Sequence, residues 1–489
     1  MSSKPKKAFL RNGLTLRRPS ECLREEVLNA YTYVNPAYSE ALRYSPYGTV
    51  SDAIPRTISY ADFDSDRNRL HLPRGFDPEL ILSKKAQAEF SEYQLKDKRI
   101  FRSEDFPARK ITLSREQKLL HAAALKSVRK GGSRPHGNIL LIGHTAVGKT
   151  ILQAAIPASL NQRTLVICVT NLIRDAWIRD IYKAFGIAKC DLGFIQQSTW
   201  KIGRWFTLAS VATLQRREAR WPELFDNFGC VILDESQHID EPRVQRFISE
   251  CPCAYIVSAT ATPKSDTGPN VAMPALLGPP VKRLLTTTRS THSSVALRKV
   301  RIIKTEFVYK HDRHNLDLHD LAMELSANDA RNNLIVRKAI HDWRKGRSVL
   351  IAVKRVAHLH LIQEVLRERG IADSNVLYGG TNSNRRYTES LTKALLSRKV
   401  RMLVATIQAI KTGANFNPLS HLHLAWPCNK KDLEQLIGRI RRRDISKKGI
   451  ALSYYLDQRV RWLYRRYVEN AVPVFRKMKI PGYENLYVC

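Results

Sequence analysis

The stretch NILLIGHTAVGKT, residues 138–150, joins an apolar run to a glycine-rich turn. The first part, NILLIG, has the length and composition of a buried β-strand. The rest matches the pattern GxxxxGK[ST], with Gly143, Gly148, Lys149 and Thr150 at the defined positions. In such a turn the backbone N–H groups surround phosphate oxygens, and the N-terminus of the following helix adds a favourable dipole. The stretch therefore predicts a strand, a phosphate-binding loop and a helix; a plain glycine-rich turn is the alternative.

The residues of this loop have distinct expected roles. The Lys149 ammonium would reach the β- and γ-phosphates of ATP, and the Thr150 hydroxyl would ligate Mg²⁺. ATP and Mg²⁺ are therefore the expected cofactors. The loop itself supplies the other cofactor-binding residues, Gly143, His144, Thr145, Ala146, Val147 and Gly148.

A second motif, VILDESQHID at residues 231–240, is an apolar run that ends in Asp234 and Glu235. Such a run predicts a buried strand that places both carboxylates at the carboxyl edge of a parallel sheet, where these sheets bind ligands. Asp234 would hold Mg²⁺, and Glu235 would orient or deprotonate the attacking water. A solvated acidic turn is the alternative. Both motifs together also fit kinases, GTPases and transport ATPases.

Short apolar runs alternate with amphipathic stretches in two sets along the chain. The first set is NILLIG, TLVICVT, FTLASVAT, CVILDE and AYIVSAT, and the second is SVLIAVK, NVLYGG, RMLVAT, HLHLAWP and GIALSYYL. Runs rich in β-branched residues, each followed by helix-like sequence, are typical of parallel sheets covered by helices. We therefore predict an α/β fold with two tandem parallel-sheet lobes.

The same pattern predicts the domain organisation. Before residue 111 the chain is polar, with short strand-like pieces such as RTISYADF and RLHLPRGF. The predicted parts are an N-terminal accessory domain at 1–110, a first, ATP-binding lobe at 111–285, a linker and the start of the second lobe at 286–330, the second lobe at 331–457 and a basic and aromatic C-terminal extension at 458–489.

The composition restricts the partners. The 489 residues include 81 Lys and Arg against 45 Asp and Glu, a formal net charge of +36. Such a charge attracts a polyanion, and nucleic acid is favoured over an anionic membrane because no basic amphipathic helix is evident. No apolar run reaches the roughly 18 residues of a membrane-spanning helix. The eight cysteines lack CxxC spacing, so we expect a reducing intracellular compartment (cytoplasm, nucleus or virion) and no structural metal.

Seven motifs follow one another in a fixed order. They are LSREQ (113–117), GHTAVGKT (143–150), VTNLIRDAW (169–177), DESQ (234–237), SAT (258–260), VATIQAIKTGANF (404–416) and QLIGRIRR (435–442). Over residues 111–457 this series resembles the DExD/H-type helicases and translocases of superfamily 2. The resemblance implies two RecA-like lobes with ATP between them and nucleic acid across their top, and hence a nucleic-acid-dependent ATPase. Short matches outside the motifs, HLPRGF among them, are most similar to phage and large-virus helicases.

The resemblance assigns roles to several residues of the first lobe. Gln117 resembles the glutamine that reads the adenine; an ordinary exposed helix residue is the alternative. Thr170 and Arg174 match the segment that contacts the nucleic-acid backbone. Ser258 and Thr260 resemble the residues that couple hydrolysis to strand movement, with a hydroxyl-rich turn capping a helix as the alternative.

Further matches concern Trp177 and the second lobe. Trp177, close to the backbone-contacting segment, is expected to pack in the core. Thr406 matches a nucleic-acid contact, and Gly413 a contact to the nucleotide edge. At the fourth position of the DESQ box the chain has Gln237, which argues against the Asp-box RNA helicases; DNA is favoured over RNA. His238 is equally compatible with a packing role.

QLIGRIRRRD, residues 435–444, predicts a helix with two different faces. Each residue turns roughly 100°, so Gln435, Gly438, Arg439 and Arg442 share one face. Gln435, Arg439 and Arg442 are predicted to be catalytic, with the two arginines as arginine fingers that stabilise charge on the γ-phosphate. Gly438 would leave this face open for close approach to the opposite lobe. The opposite face would anchor the helix through Leu436, Ile437 and Ile440. Arg441 and Arg443 are expected to join a basic surface; background charge for the whole stretch is the alternative.

The C-terminal stretch 439–479 interleaves 13 Lys and Arg residues with aromatics. This pattern suits a surface that follows a strand and stacks its bases. The alternative is a C-terminal segment that packs its aromatics on the second lobe and solvates its charges.

Three functions remain open. The first is an ATP-dependent helicase that separates strands, and the second is a double-strand translocase without strand separation. The third is a nucleic-acid-binding scaffold with an ATPase switch. In each, residues 1–110 could bind a protein partner.

Overall fold

A computed structural model of the chain forms two compact units, one built from the described residues between 6 and 284 and the other from those between 297 and 483. Within the described residues no helix is long and apolar enough to cross a membrane. The structure describes residues 6–44, 49–129, 136–143, 148–234, 239, 241–260, 272–284, 297–309, 317–371, 374–378, 385–411, 418–441, 449–478 and 480–483.

The N-terminal part of the first unit has a five-stranded sheet of order β5-β6-β2-β1-β7 and a separate hairpin of β3 and β4. Its strands are β1 (Lys7–Leu10), β2 (Leu14–Arg17), β3 (Thr32–Val34), β4 (Thr57–Ser59), β5 (Asp62–Asp64), β6 (Arg69–Leu72) and β7 (Gln94–Asp97). Its helices are α1 (Glu21–Tyr31), α2 (Pro36–Tyr44), α3 (Pro78–Ile81) and α4 (Lys84–Ser91).

Local sequence explains why α1 covers this sheet. Ser20 caps the helix by accepting a hydrogen bond from the backbone N–H of Leu23 at 3.2 Å. The buried residues Leu23, Val27 and Tyr31 follow at spacings of four, so they form one apolar stripe. That stripe packs on the alternately buried leucines of β2 and β6.

The stretch HLPRGF makes contacts that join this N-terminal part to the rest of the first unit. The Arg74 side chain is fully buried; its Nε donates to Asn138 Oδ1 at 2.7 Å and its Nη1 to the Cys251 carbonyl at 2.8 Å. A Cβ on Gly75 would collide with the Pro274 carbonyl, so the backbone here must be glycine to pack this closely. The motif is therefore structural in this fold.

The main sheet of the first unit has the order β11-β10-β12-β9-β13-β14-β8-β15, and its pairs are parallel except for the hairpin of β10 and β11. The strands are β8 (Asn138–Gly143), β9 (Thr164–Cys168), β10 (Gly193–Gln196), β11 (Thr199–Lys201), β12 (Phe206–Ser210), β13 (Cys230–Asp234), β14 (Tyr255–Thr260) and β15 (Lys282–Leu284). The helices are α5 (Arg115–Val128), α6 (Lys149–Ser159), α7 (Asn171–Phe185), α8 (Val211–Arg216), α9 (Trp221–Phe225), α10 (Pro242–Glu250) and α11 (Ala272–Leu277).

The second unit has a six-stranded sheet of order β16-β21-β20-β17-β19-β18 in which every pair is parallel. Its strands are β16 (Leu297–Lys304), β17 (Val349–Val353), β18 (Ser374–Leu377), β19 (Met402–Thr406), β20 (His421–Leu424) and β21 (Ile450–Leu456). Its helices are α12 (Leu318–Ala327), α13 (Asp329–Arg344), α14 (Val356–Glu368), α15 (Arg385–Leu396), α16 (Ile407–Lys411), α17 (Lys430–Arg441), α18 (Arg461–Arg466) and α19 (Val472–Lys477), with a π-turn at Tyr467–Ala471.

The predicted fold class, two parallel sheets in tandem with helices around them, is confirmed. Every apolar run quoted above contains a strand, and the central strands β13 and β17 are buried along their whole length. Such strands lie between helices on both faces, which is why they have no polar alternation.

The C-terminal aromatics pack mainly inside the second unit. Tyr454, Tyr455, Tyr467 and Phe475 are at most 2% exposed and belong to its core. The interpretation of these rings as a base-stacking surface is therefore wrong, and the packing alternative is correct. Of the stretch's rings, Tyr464 is the one with substantial exposure, at 40%.

Candidate nucleotide-binding site

The carboxyl ends of three adjacent strands meet at one edge of the first sheet. β8 ends at Gly143, β13 at Asp234 and β14 at Thr260. The parallel register aligns Thr260 with Ile142 and Asp234 with Ala259. The glycine-rich motif, the acidic motif and the SAT motif, far apart in sequence, are thus brought to the same edge, where open α/β sheets bind ligands.

Gly148 is the turn from the loop into α6, which begins at Lys149. Its φ of +75° lies in the left-handed region that favours glycine. A Cβ at this position would lie 2.6 Å from Gln117 Nε2. The left-handed backbone and the close approach of Gln117 both favour a residue without a Cβ at position 148. Residues 144–147 of the loop lie outside the described residues.

Gln117 links α5 to this turn. Its Oε1 accepts a hydrogen bond from the Ser114 N–H at 2.9 Å, which completes a capping box, and its Nε2 donates to the Gly148 carbonyl at 3.1 Å. Because the side chain is buried, the alternative of an ordinary exposed helix residue is wrong. Its role in adenine recognition stays a prediction.

α6 is fixed beneath the loop by a contact to the acidic strand. Lys149 and Thr150, the first two residues of the helix, are partly exposed. One turn later, the fully buried Gln153 donates from Nε2 to the Leu233 carbonyl at 3.4 Å. This contact ties the helix that carries Lys149 to the residue before Asp234.

The Asp234 carboxylate is held by Trp177. The indole Nε1–H donates to Asp234 Oδ2 at 3.0 Å, and both side chains are buried. The core position predicted for Trp177 is confirmed. Its bond to Asp234 was not predicted, although the motif after β9 contains this aromatic N–H donor. Beside it, burial and the Asp234 charge raise the pKa of the Cys168 thiol, so the thiol stays protonated.

The predicted nucleic-acid contacts of the first unit lie at the start of α7. Thr170 caps this helix by accepting a hydrogen bond from the Ile173 N–H at 3.3 Å. Arg174 forms an ion pair with Asp175 at 3.0 Å and donates to Gln196 Oε1. Both side chains therefore have local structural roles, and nucleic-acid contact stays a prediction for both.

The predicted coupling residues Ser258 and Thr260 are fully buried within β14. The alternative of a hydroxyl-rich turn capping a helix is wrong, because both residues are in a strand. The Ser258 hydroxyl has no hydrogen-bond partner in the described part of the chain.

In the second unit Thr406 ends β19, and its Oγ1 accepts a hydrogen bond from the Ala409 N–H at 3.3 Å. It therefore caps the short helix α16. Gly413 lies outside the described residues, as do Glu235, Gln237 and His238 of the acidic motif.

The predicted helix of the QLIGRIRR motif is α17. Gln435 and Arg439 are partly exposed, whereas Leu436, Ile437 and Ile440 are buried as predicted. Gly438 is buried with them rather than left open.

Arg441 does not join a basic surface. It is 6% exposed, and burial lowers its pKa. The reason is helical spacing: Arg441 follows the buried Ile437 by four residues and so lies on the same face. Arg442 and Arg443 lie outside the described residues.

Comparisons with known proteins agree with this arrangement. Residues 110–265 match the family described as "Type III restriction enzyme, res subunit". The chain is also 25% identical over 363 residues to "Probable helicase D10" of Escherichia phage T5, an alignment that covers 72% of each protein. The resemblance to superfamily 2 helicases is confirmed. So is the predicted enzyme class, a helicase-type nucleic-acid-dependent ATPase.

The helicase fold is found among solved structures as well. The structure titled "S. cerevisiae Dbp5 bound to RNA and ADP BeF3" is similar with a TM-score of 0.53 and 14% identity. The match covers 74% of this chain and 88% of Dbp5. This likeness supports the two-lobe fold expected from the sequence.

Proposed function

We propose that the chain is an ATP-dependent helicase that couples ATP hydrolysis to separation of nucleic-acid strands. The main support is the edge of the first sheet. There, the start of α6 with Lys149 and Thr150 and the end of β13 with Asp234 are tied together through Gln153. This is the arrangement that phosphoryl-transfer chemistry needs, because catalysis there rests on positioning and charge stabilisation.

The residues at this edge of the first sheet have different roles in binding phosphate, Mg²⁺ and the attacking water. Lys149 and the first N–H groups of α6 bind the terminal phosphates. The Thr150 hydroxyl and the Asp234 carboxylate are oxygen donors of the kind Mg²⁺ prefers, so these two residues would hold it. When bound, the ion neutralises charge that develops on the phosphates. Glu235, the next residue along the chain, positions the attacking water and accepts its proton.

The second unit supplies cations in this proposal. Arg439 and Arg442 stabilise the charge on the γ-phosphate, and Gln435 on the same helix face assists them. Gly413 contacts the nucleotide edge. The partly exposed positions of Gln435 and Arg439 on α17 are compatible with these roles.

Nucleic acid is the substrate that the charge of +36 favours. Thr170, Arg174 and Thr406 are the proposed contacts, and DNA is the proposed preference. Ser258 and Thr260, buried in β14 between the two motif-bearing strands β8 and β13, transmit the state of the nucleotide to these contacts. The free cysteines of the described residues fit a reducing intracellular compartment.

Substitution of Lys149 tests the proposed ATP-hydrolysing activity. Lys149→Ala should abolish nucleic-acid-stimulated ATP turnover while binding to DNA or RNA persists, because the ammonium acts on the phosphates only. The exposed Lys183 on α7 provides the control, since Lys183→Ala removes the same charge elsewhere on the unit. Full turnover in Lys149→Ala would refute the proposal.

Strand separation is tested separately from translocation. A strand-displacement assay on forked duplexes should give product with wild-type protein, and a triplex-displacement assay reports movement on a duplex without unwinding. Triplex displacement without strand displacement would replace the helicase by a translocase. Nucleic-acid binding without stimulated turnover would leave only the scaffold.

A further inference from the structure

A cavity of about 330 Å³ opens at the amino ends of the strands in the second sheet. Its lining includes Ser348 just before β17, Ser420 just before β20 and Arg398 in the turn that leads to β19. Lys345 and Arg347, which follow α13, complete the polar part of the lining. The cavity is thus at the edge opposite to the one where Thr406 ends β19, and it belongs to none of the motifs described above.

The lining is cationic and its charges are not neutralised. Lys345, Arg347 and Arg398 make no ion pair with a carboxylate of the described residues. The acidic side chain nearest in sequence, Asp342, pairs instead with Arg301 and with His423 Nε2 at 3.0 Å. Cations after a helix C-terminus complement the helix dipole, and two such ends supply this lining, since Lys345 follows α13 and Arg398 follows α15.

Two further features mark the cavity as a polar binding site. The Ser348 residue is only 3% exposed, and its hydroxyl makes no hydrogen bond within the described chain. The turns on either side have left-handed backbones, with φ of +74° at Gly346 and +58° at Arg398. A hydrogen bond of 3.1 Å from Arg398 Nη2 to the Gly346 carbonyl holds these turns together and fixes the guanidinium at the rim.

We propose that this cavity binds a phosphate group of a nucleic-acid backbone. Two guanidinium groups and an ammonium offer the charge, and the Ser348 hydroxyl offers a hydrogen-bond donor for one phosphate oxygen. A volume of about 330 Å³ is at the small end of ligand pockets and accommodates a phosphate with its adjoining sugar. The site extends the nucleic-acid binding proposed above to a second edge of this sheet, and it does not depend on ATP hydrolysis.

The test compares charge-changing substitutions in the full chain, with Lys345→Glu and Lys338→Glu as the matched pair of charge reversals. Lys345→Glu and Arg347→Gln alter the cavity, while Lys338→Glu changes an exposed lysine two turns earlier on α13 that does not line it. The affinity for labelled single-stranded and duplex DNA is measured without ATP over a range of salt. Loss of one phosphate contact should weaken binding about sixfold at 0.1 M salt and reduce the salt slope by about 0.7–0.9. Lys338→Glu should leave the slope unchanged, and melting temperatures verify that all variants fold.

The outcomes are distinguishable. If Lys338→Glu and Lys345→Glu weaken DNA binding equally, the cavity site is refuted, because the effect would then come from the overall charge of the protein. Unchanged DNA affinity in the cavity variants, with loss of the stabilisation that inorganic phosphate gives the wild type, would also refute it in favour of a free phosphate ligand. Wild-type protein that binds no nucleic acid at all would refute the proposed function itself.

Discussion

The indole N–H of Trp177 and the carboxylate of Asp234 form a buried hydrogen bond of 3.0 Å that joins α7 to the end of β13. Thr170, the proposed nucleic-acid contact, caps the N-terminus of α7, and β13 ends in the proposed Mg²⁺ ligand. A single hydrogen bond therefore connects the helix assigned to nucleic acid with the strand assigned to ATP. Its removal should therefore reduce turnover as well as stability.

Trp177→Phe keeps the ring and removes the donor. We expect the turnover number to fall about tenfold, because Asp234 loses a group that orients it, with a stability loss of about 1–3 kcal/mol for the lost buried hydrogen bond. Steady-state ATPase kinetics with saturating DNA measure the first, and urea unfolding the second. Trp221→Phe is the matched control, since Trp221 Nε1 donates to the Leu214 carbonyl at 3.0 Å in the same unit and not to Asp234. Equal losses of turnover in both variants would show that only packing is involved.

Gly148→Ala should distort the turn that leads from the phosphate-binding loop into α6. The left-handed backbone costs an alanine about 1 kcal/mol, and the added Cβ would press on Gln117 Nε2. We expect a KM for ATP raised at least tenfold. Gly370→Ala imposes a similar φ of +79° where nothing lies within 4 Å of the Cβ, so it should cost stability alone. The KM for ATP is measured for both variants. A normal ATP affinity in Gly148→Ala would show that Gln117 and Gly148 do not belong to the nucleotide-binding site.

Neighbouring arginines on α17 should behave differently. Arg439→Ala should reduce the turnover number at least a hundredfold with little change in melting temperature, because the residue is partly exposed and assigned to the γ-phosphate. Arg441→Ala should instead destabilise the protein by about 1–2 kcal/mol through lost packing. Turnover assays and thermal melts on both variants measure the two effects. If Arg439→Ala keeps its turnover, α17 carries no arginine finger at this position.

The parallel strands were predictable because their signal is local. Each run such as CVILDE or SVLIAVK contains enough consecutive β-branched and apolar residues to specify a buried strand by itself. β10, β11 and β15 were not predicted, since strands of three or four residues contain no comparable run of apolar residues. The same holds for the N-terminal strands β1, β2 and β7.

The site was predictable as far as its motifs are contiguous in sequence. Lys149 and Asp234 could be assigned from adjoining residues, whereas the bonds from Trp177 to Asp234 and from Gln117 to Gly148 join separate motifs and need three-dimensional contact. For Arg441 the local sequence contained the correct signal, but the prediction was wrong. Its four-residue spacing from Ile437 was visible, but the charge of the side chain outweighed periodicity in the interpretation.

Buried histidines should make the second unit sensitive to acid. His358 on α14 is 1% exposed, and its Nε2–H donates to Asn332 Oδ1 at 2.9 Å. Burial, together with the nearby Arg331 charge, lowers the pKa of His358 to about 3, and burial lowers that of His421 to about 4. Above the unfolded value of 6.5 both states are neutral, so the full stability is present. Below it the unfolded chain binds protons that the folded chain cannot, and stability falls as the pH approaches the folded values.

His358→Gln should remove part of this acid sensitivity. The glutamine amide can still donate to Asn332 but does not titrate, so the variant should lose about 2 kcal/mol less than wild type between pH 7 and pH 5. Urea unfolding followed at each pH gives the difference. His341→Gln, an exposed position on α13, should keep the wild-type dependence. If His358→Gln follows the wild-type curve, the buried imidazole gains a proton in the folded state, and its burial carries no penalty in acid.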